Sequence, residues 1–276
     1  MRFVRYGEAG SERPGVLDSA GVLRDLSEVV DDIAGDVLAT LPDIDPETLP
    51  KVAGAPRLGT PVGQVGKLIG IGLNYHDHAA EVGLDPPNEP IVFMKATSSI
   101  TGPNDPVYLP RGSQKSDWEV ELGVVIGRRA KYVSEADALD YVAGYTIVND
   151  VSERAFQTER GGQWTKGKSC DSFGPIGPWL VTPDEVGDVQ ALDLMLDLDG
   201  QPAQRGSTAS MIFGVAHLVA YLSQMMTLHP GDIIATGTPP GVGMAMKPPR
   251  FLREGDVMTL SISGLGMQRQ EVRQDG

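Results

Sequence analysis

Three acidic side chains stand where apolar runs of the chain begin or end. In Asp117-Trp-Glu119-Val-Glu121-Leu-Gly-Val-Val-Ile126, strand alternation places Glu119 and Glu121 on one face and Val120, Leu122, Val124 and Ile126 on the other. The acidic face continues into Gly123 and Val125 rather than into further charge. Like charges side by side repel unless a cation sits between them. A second apolar run, Tyr141–Val148, ends in Asn149-Asp150. Asp150 would complete an all-oxygen set suited to Mg2+ or Mn2+, with remaining positions left to water or substrate. Two blander readings stand beside this one. The first is a half-exposed strand with its polar face in water. The second makes Asp150 the residue that opens the next helix.

A second group able to do chemistry lies in Asn74-Tyr-His-Asp-His78-Ala-Ala-Glu81-Val-Gly83. Asn74 suits an N-cap and Gly83 a C-terminal stop, so the spacing predicts a helix of two turns. His78 and Glu81 are then i,i+3 neighbours. A carboxylate beside an imidazole orients it and raises its basicity, which suits a general base acting on water. So short a helix is marginal alone, and it runs into the loop-like Leu84-Asp-Pro-Pro-Asn-Glu-Pro. It could order over a ligand as a lid does, or be a surface turn with an incidental ion pair.

Other motifs carry less. Gly162-Gln-Trp-Thr-Lys-Gly-Lys168-Ser matches a phosphate-loop pattern, but a polar stretch precedes it and Cys-Asp-Ser-Phe-Gly-Pro follows. That context supplies neither the strand nor the helix the mechanism needs, so Lys168 requires another role. Gly70-Ile-Gly72 lacks the third glycine of a dinucleotide fingerprint. Gly237-Thr-Pro-Pro-Gly-Val-Gly243 reads either as a turn-rich strand exit or as backbone brought close to a small ligand. His76 and His78 point nearly oppositely on a helix and have no cysteine or histidine partner at suitable spacing, which argues against zinc. His217 and His229 read as structural or solvated.

The elements that must position these groups are mostly strands. Lys67–Leu73, Pro90–Lys95, Trp118–Ile126, Tyr141–Val148, Trp179–Val181, Leu192–Leu198, Asp232–Thr236 and Val257–Ile262 are short apolar runs bounded by Gly, Pro or Asp. One long segment, Thr208–Leu228, has a helical period, and shorter helices are predicted from Ser134 and over Ser152–Arg160. Strands and helices do not alternate regularly, so the expected class is α+β and β-dominated, not a doubly wound sheet. The Pro/Gly-punctuated Ala55–Gly63 predicts a linker. It would divide a small N-terminal unit, residues 1–65, with short strands near Arg2–Tyr6, Gly15–Leu17 and Val22–Leu26, from a main domain at 66–276.

Composition narrows the partners. A formal net charge of −14 over 276 residues argues against nucleic acid, which needs a basic face. A single cysteine, Cys170, leaves no internal disulfide framework and fits a reducing compartment. Residues 1–15 lack the apolar core of a secretory leader, and no apolar run approaches the roughly 20 residues that span a bilayer. The expectation is a cytoplasmic enzyme of a small molecule, without a membrane or nucleic-acid partner.

Together these stretches resemble the fumarylacetoacetate hydrolase superfamily, in its smaller branch with a single catalytic domain. The likeness rests on Gly72–Glu81, Trp118–Gly127, Asp140–Asp150, Trp164–Lys168 and Thr236–Gly243, in order over about residues 66–270. It implies a mixed β-sandwich roll with a small N-terminal α+β domain, assembled as a homodimer with one divalent cation per site, Mg2+ or Mn2+. Carried over by position, Glu119, Glu121 and Asp150 become metal ligands, and His78 with Glu81 becomes a water-activating dyad on a lid. Lys168 faces the substrate, and Arg154, Gln157 and Thr238 hold its carboxylate and carbonyl oxygens. The implied reaction is hydrolysis of the C3–C4 bond of a 2,4-dioxo acid. Glu159–Trp164, Lys166–Lys168, Pro239–Gly241, Lys247–Pro249 and Gly266–Gln270 are most similar to hydrolases of 2,4-diketo-3-deoxy sugar acids. Those would split the L-rhamnonate or fuconate derivative into pyruvate and lactate. Acylpyruvate hydrolases, oxaloacetate decarboxylases and 2-hydroxyhepta-2,4-diene-1,7-dioate isomerases share the implied metal and dyad, and ureidoglycolate lyase-like proteins are a further alternative within the superfamily.

Overall fold

Strand pairing organises the chain almost throughout. A computed structural model describes residues 1–276 and contains seventeen strands but few helices. The large sheet runs from edge to edge through Leu23–Asp25, Arg13–Leu17, Arg2–Tyr6, Gly174–Val181, Val142–Asn149, Val120–Ile126, Ile233–Ala235, Leu68–Gly72 and Ile91–Lys95. Ile100–Thr101 pairs alongside Gly174–Val181. A five-stranded sheet is ordered Gln201–Ser207, Asp193–Leu198, Val257–Ile262, Gly266–Gln274 and Val107–Leu109. Pairing is mixed, antiparallel for most strands but parallel between Ile233–Ala235 and Leu68–Gly72. The β-dominated mixed-sheet class is as expected, and neither sheet closes on itself.

Two cores explain why the middle strands read as continuous apolar runs. The larger core joins Val120, Leu122, Val124 and Ile126 to Leu194, Leu196, Met258 and Leu260 of the smaller sheet and to Leu218 and Leu222 of the Val215–Met225 helix. On the opposite face, Val125, Val148 and Ile176 pack with Phe3, Val16, Leu26 and Ile33. A strand buried on both faces shows no polar alternation except where a buried polar group has a purpose. Glu119 and Glu121 share their face with Val125, and Asp150 shares its face with Val148.

Several expected elements differ. The Thr208–Leu228 period resolves into a single 3-10 turn, Thr208–Ser210, and an α-helix at Val215–Met225. Asn74 causes the interruption. It accepts from the backbone N–H groups of Ile212 and Phe213 and donates to Phe213 O, so that stretch cannot bond along a helix. Asn74 is therefore a buried bracket between loops, not an N-cap, and the helix after it spans only His76–Glu81. Gly83 follows it at φ +73, in the left-handed conformation that suits a stop. Near Ser134 the expected helix is only a 3-10 turn, Ala138–Tyr141, because the chain must join the large sheet at Val142. Ser152–Glu153 pairs with Ser116–Asp117, which delays the next helix to Arg154–Thr158.

Gln201–Ser207 and Gly266–Gln274 are strands with no apolar period. In the second, Gln268 and Gln270 are buried, and Gln268 donates to Ile147 O at 2.8 Å and Gly177 O at 2.9 Å. Residues 1–65 extend the large sheet through Phe3 opposite Leu180 and supply one side of the second core. The Ala55–Gly63 stretch has no strand or helix of its own.

Candidate active site

The ladder between Val120–Ile126 and Val142–Asn149 brings the three acids together. Val148 lies opposite Glu121, and the Asp150 N–H donates to Glu119 O at 2.9 Å. Carboxylate oxygens of Glu119, Glu121 and Asp150 lie within 4.8 Å of one another, and all three side chains are buried. The half-exposed reading of this strand is thereby excluded. Asp150 also does not cap a helix, since the cap of Arg154–Thr158 is Glu153.

Three buried cations face these acids. Lys168 donates to Glu119 Oε2 at 2.7 Å and Asp150 Oδ2 at 2.6 Å. Lys95 donates to Asp150 Oδ1 at 2.6 Å and Val151 O at 3.1 Å. The Arg154 guanidinium contacts Glu119 Oε1 at 2.7 Å and Asp117 Oδ2 at 3.0 Å, and donates to Gln157 Oε1 at 3.1 Å. Burial alone would raise the Glu119 carboxyl, but Lys168 and Arg154 outweigh it and hold it well below the usual range. Burial lowers the Lys95 ammonium. For Lys168 the same burial is overcome by Asp150 and Glu119, which raise it. Glu121 differs from its neighbours: no cationic side chain reaches it, and it accepts a hydrogen bond from the Gly237 N–H at 2.9 Å. Burial first, then Asp150 and Glu119, push its carboxyl well above the ordinary value.

Sequence reasoning missed Lys95 and Asp117. Lys95 closes the Ile91–Lys95 strand, where alternation puts it on the same face as Phe93. A charge on the inward face of an apolar strand was the available signal. Fully buried Asp117 accepts from the N–H groups of Gly243 at 2.7 Å and Met244 at 3.0 Å while holding Arg154. The 237–243 loop therefore uses its backbone to grip site carboxylates. Thr238 donates its hydroxyl proton to Val120 O at 2.9 Å and accepts from Gln204, so that hydroxyl has no proton left for a ligand.

Short helices deliver the remaining groups. His78 Nδ1 lies 3.0 Å from Glu81 Oε2, and Glu81 Oε1 accepts from the Gly241 N–H at 2.8 Å. Thr165–Lys168 is one helical turn that drives Lys168 inward, so the phosphate-loop lookalike serves a carboxylate cluster instead. A cavity of about 160 Å3 opens here, lined by His78, Glu119, Glu121, Arg154, Gln157, Lys168 and Thr238. Apolar side chains, among them Phe93 and Trp164, complete its wall. All nine residues singled out in the sequence thus gather at one place. His76 is exposed and His217 stacks between Phe213 and Tyr221, both away from the acids.

A divalent cation fits this donor set. Three buried carboxylates with one left uncompensated call for additional positive charge, and an all-oxygen cage is what hard cations take.

Such a cavity, set on mixed β-sheets and lined by acids, cations and a histidine, is that of an enzyme acting on a small molecule. Residues 67–273 match the fumarylacetoacetate (FAA) hydrolase C-terminal family, and the chain belongs to it. A provisionally named hydrolase of Burkholderia orbicola is 64% identical over 279 aligned positions, covering 99% of each chain. The fumarylacetoacetate hydrolase of psychrophilic Exiguobacterium antarcticum superposes with a TM-score of 0.89 at 36% identity over all of both chains. A 2-hydroxyhepta-2,4-diene-1,7-dioate isomerase of Mycobacterium marinum gives 0.78 at 32%, covering 100% of this chain and 99% of its own. No helix is long and apolar enough to cross a membrane.

Proposed function

We propose that this enzyme hydrolyses the C3–C4 bond of a 2,4-dioxo acid, with Glu119, Glu121 and Asp150 holding Mg2+ or Mn2+. The observation that carries the reading is one cavity lined by Glu119 and Glu121 of the acidic cluster, by Lys168 and by His78, whose ring is held by Glu81. A dication held by Glu119, Glu121 and Asp150 would supply Lewis acidity to the substrate's oxygens. The chain's own residues do the rest. His78, oriented by Glu81, takes a proton from water as the oxygen attacks C4. Breaking the C3–C4 bond leaves the acyl part as a carboxylic acid and its electron pair on the three-carbon fragment, pyruvate enolate. Two of the three Lys168 N–H bonds are committed to Glu119 and Asp150, so the third can stabilise that charge. Protonation at C3 then yields pyruvate. Gln157, lining the cavity with its amide N–H2 free of protein acceptors, and Arg154 orient the substrate's oxygens.

The finer substrate reading is a 2,4-diketo-3-deoxy-L-rhamnonate or fuconate, giving pyruvate and lactate. A second reading is isomerisation or decarboxylation without hydrolytic water, favoured by the isomerase name of the M. marinum relative. An assay separates them. With Mg2+ and 2,4-dioxopentanoate, the expected result is equimolar pyruvate and acetate, abolished by chelation and restored by Mg2+. Carbon dioxide from oxaloacetate, or a double-bond shift without pyruvate, would move the assignment to the second reading. A homodimer, checked by sedimentation velocity, and residues 1–65 as an accessory unit complete the proposal.

A further inference from the structure

The strand Gln201–Ser207 fully buries only one side chain, and that one is polar. It lies at the edge of the five-stranded sheet, and Gln204, 0% exposed, is its single buried residue. A buried carboxamide needs partners for its oxygen and for both N–H groups. Those of Gln204 all lie beside the acidic cluster. Its Oε1 accepts from the Val120 N–H at 2.9 Å, and its Nε2 donates to Thr238 Oγ1 at 2.7 Å and Pro239 O at 2.8 Å. The Thr238 hydroxyl donates in turn to Val120 O at 2.9 Å, which closes a ring through Val120, Gln204 and Thr238. Val120 stands between Glu119 and Glu121. The neighbouring strand Ile233–Ala235 pairs as far as Gly123, and Thr236 N–H reaches Leu122 O. At Val120 the same edge is completed by side chains.

From this ring we infer that Gln204 is a positioning residue: it fixes the Glu119–Val120–Glu121 segment against the 237–243 loop. Thr238 and Pro239 lie midway along that loop, whose amides hold Glu121 from Gly237 and Glu81 from Gly241. One carboxamide thereby sets the two acids and the His78/Glu81 pair at working distance from each other, a role that rests on the proposed metal site and dyad. Gln204 does not line the cavity, so it acts only through residues that do. Its strand also seats the loop. A Cβ at Gly206 would come within 2.3 Å of Pro239 Cβ, and one at Gly241 within 2.0 Å of Ala203 O. Without the carboxamide, the buried Val120 N–H and Pro239 O lose their partners. Unmet buried polar groups are strongly disfavoured, so the segment and the loop must shift or admit water.

The test begins with amide hydrogen exchange of the metal-free protein, read by mass spectrometry. Gln204→Met keeps the length of the side chain and removes its hydrogen bonds. Thr238→Val opens the same ring from its other side, and serves where Gln204→Met does not fold. Leu26→Ala, in the second core, is the control that lowers stability without touching the site. Relative to the strand Val257–Ile262, peptides covering 118–122 and 236–243 should exchange at least about 10-fold faster in both ring variants, and at the parent's rate in Leu26→Ala. By calorimetry, Mg2+ affinity should fall about 10-fold in Gln204→Met, and kcat on 2,4-dioxopentanoate about 30-fold. The double variant should lose less than the product of the single losses, since both substitutions open one ring. Unchanged exchange at 118–122 in the ring variants overturns the inference, as does equal acceleration in Leu26→Ala. Faster exchange with Mg2+ affinity and turnover at the parent's level overturns it too. Local acceleration in variants of a parent that binds no Mg2+ supports the clamp and removes the metal reading alone.

Discussion

Lys95 and Lys168 divide the two oxygens of Asp150 between them, and only one of these lysines lines the cavity. Lys95, 2% exposed, is thus a positioning residue for Asp150. Removing one partner of a buried pair costs about 3–5 kcal/mol, because the other charge is left uncompensated. Lys95→Met should show only part of that loss in urea unfolding without metal, because Lys168 still holds Asp150 Oδ2, and a smaller loss with saturating Mg2+, since the dication replaces the missing charge. Equal losses in both conditions would mean that Lys95 only fills space. Separate roles for dyad and acids give a second prediction. His78→Ala should lower turnover about 10²–10⁴-fold with Mg2+ affinity nearly unchanged. Glu121→Ala should weaken Mg2+ binding, read by calorimetry, together with activity. Glu119 and Glu121 were legible because acids interrupt an apolar alternation. Lys95 was not, because a lysine closing a strand reads as a solvated end until its neighbours on that face are known.

Among the elements, the 237–243 loop does most to hold the site's shape. Its amides grip Glu121, Glu81 and Asp117, which belong to two different parts of the chain. Gly241 sits at φ +106, and a Cβ there would meet Ala203 O at 2.0 Å. Gly241→Ala must therefore move the loop and with it the Glu81 carboxylate. The expected outcome is a fall of about 100-fold in kcat/KM, with Mg2+ affinity changing far less. Steady-state kinetics beside metal titration measures both. The sequence left this loop open between a turn and a ligand-facing surface, and its carboxylate partners lie more than a hundred residues away along the chain. Helix ends were hidden for the same reason. Nothing local in Thr208–Leu228 announces that Asn74, distant in sequence, takes over the backbone of Ile212 and Phe213.

At the scale of the molecule, the first 65 residues and the rest share one sheet, and Arg57 fastens them. Its guanidinium donates to Asp105 Oδ1 at 2.8 Å and Oδ2 at 2.6 Å, and to Glu12 Oε1 at 2.9 Å. Burial would raise both carboxyls, yet the bonds from Arg57 prevail and hold each below its ordinary value. Carboxyls depressed in the fold add stability above their unfolded pKa of about 4 and lose it as pH falls through the lower folded values. Arg57→Ala should cost about 2 kcal/mol near neutral pH. The difference from the parent should shrink below about pH 4, as followed by denaturant titration across pH. A gap that stays constant with pH would assign the effect to packing. The prolines and glycines of Ala55–Gly63 read as a linker, and that stretch has no strand or helix of its own. The continuous sheet was not legible, since pairing of Phe3 with Leu180 leaves no mark in either segment alone.

The pairing of Val148 with Glu121 also limits how this protein can change over generations. Inserting or deleting one residue beside this pair would flip the side chains that follow to the opposite side, unless a bulge like the one between Val142 and Gly144 absorbed it. Acids would then enter the oily interior and valines would occupy the reactive hollow. Length is constrained beside Glu121, so new chemistry for other substrates arises there most readily through substitution, or through gain and loss of residues in the surrounding loops.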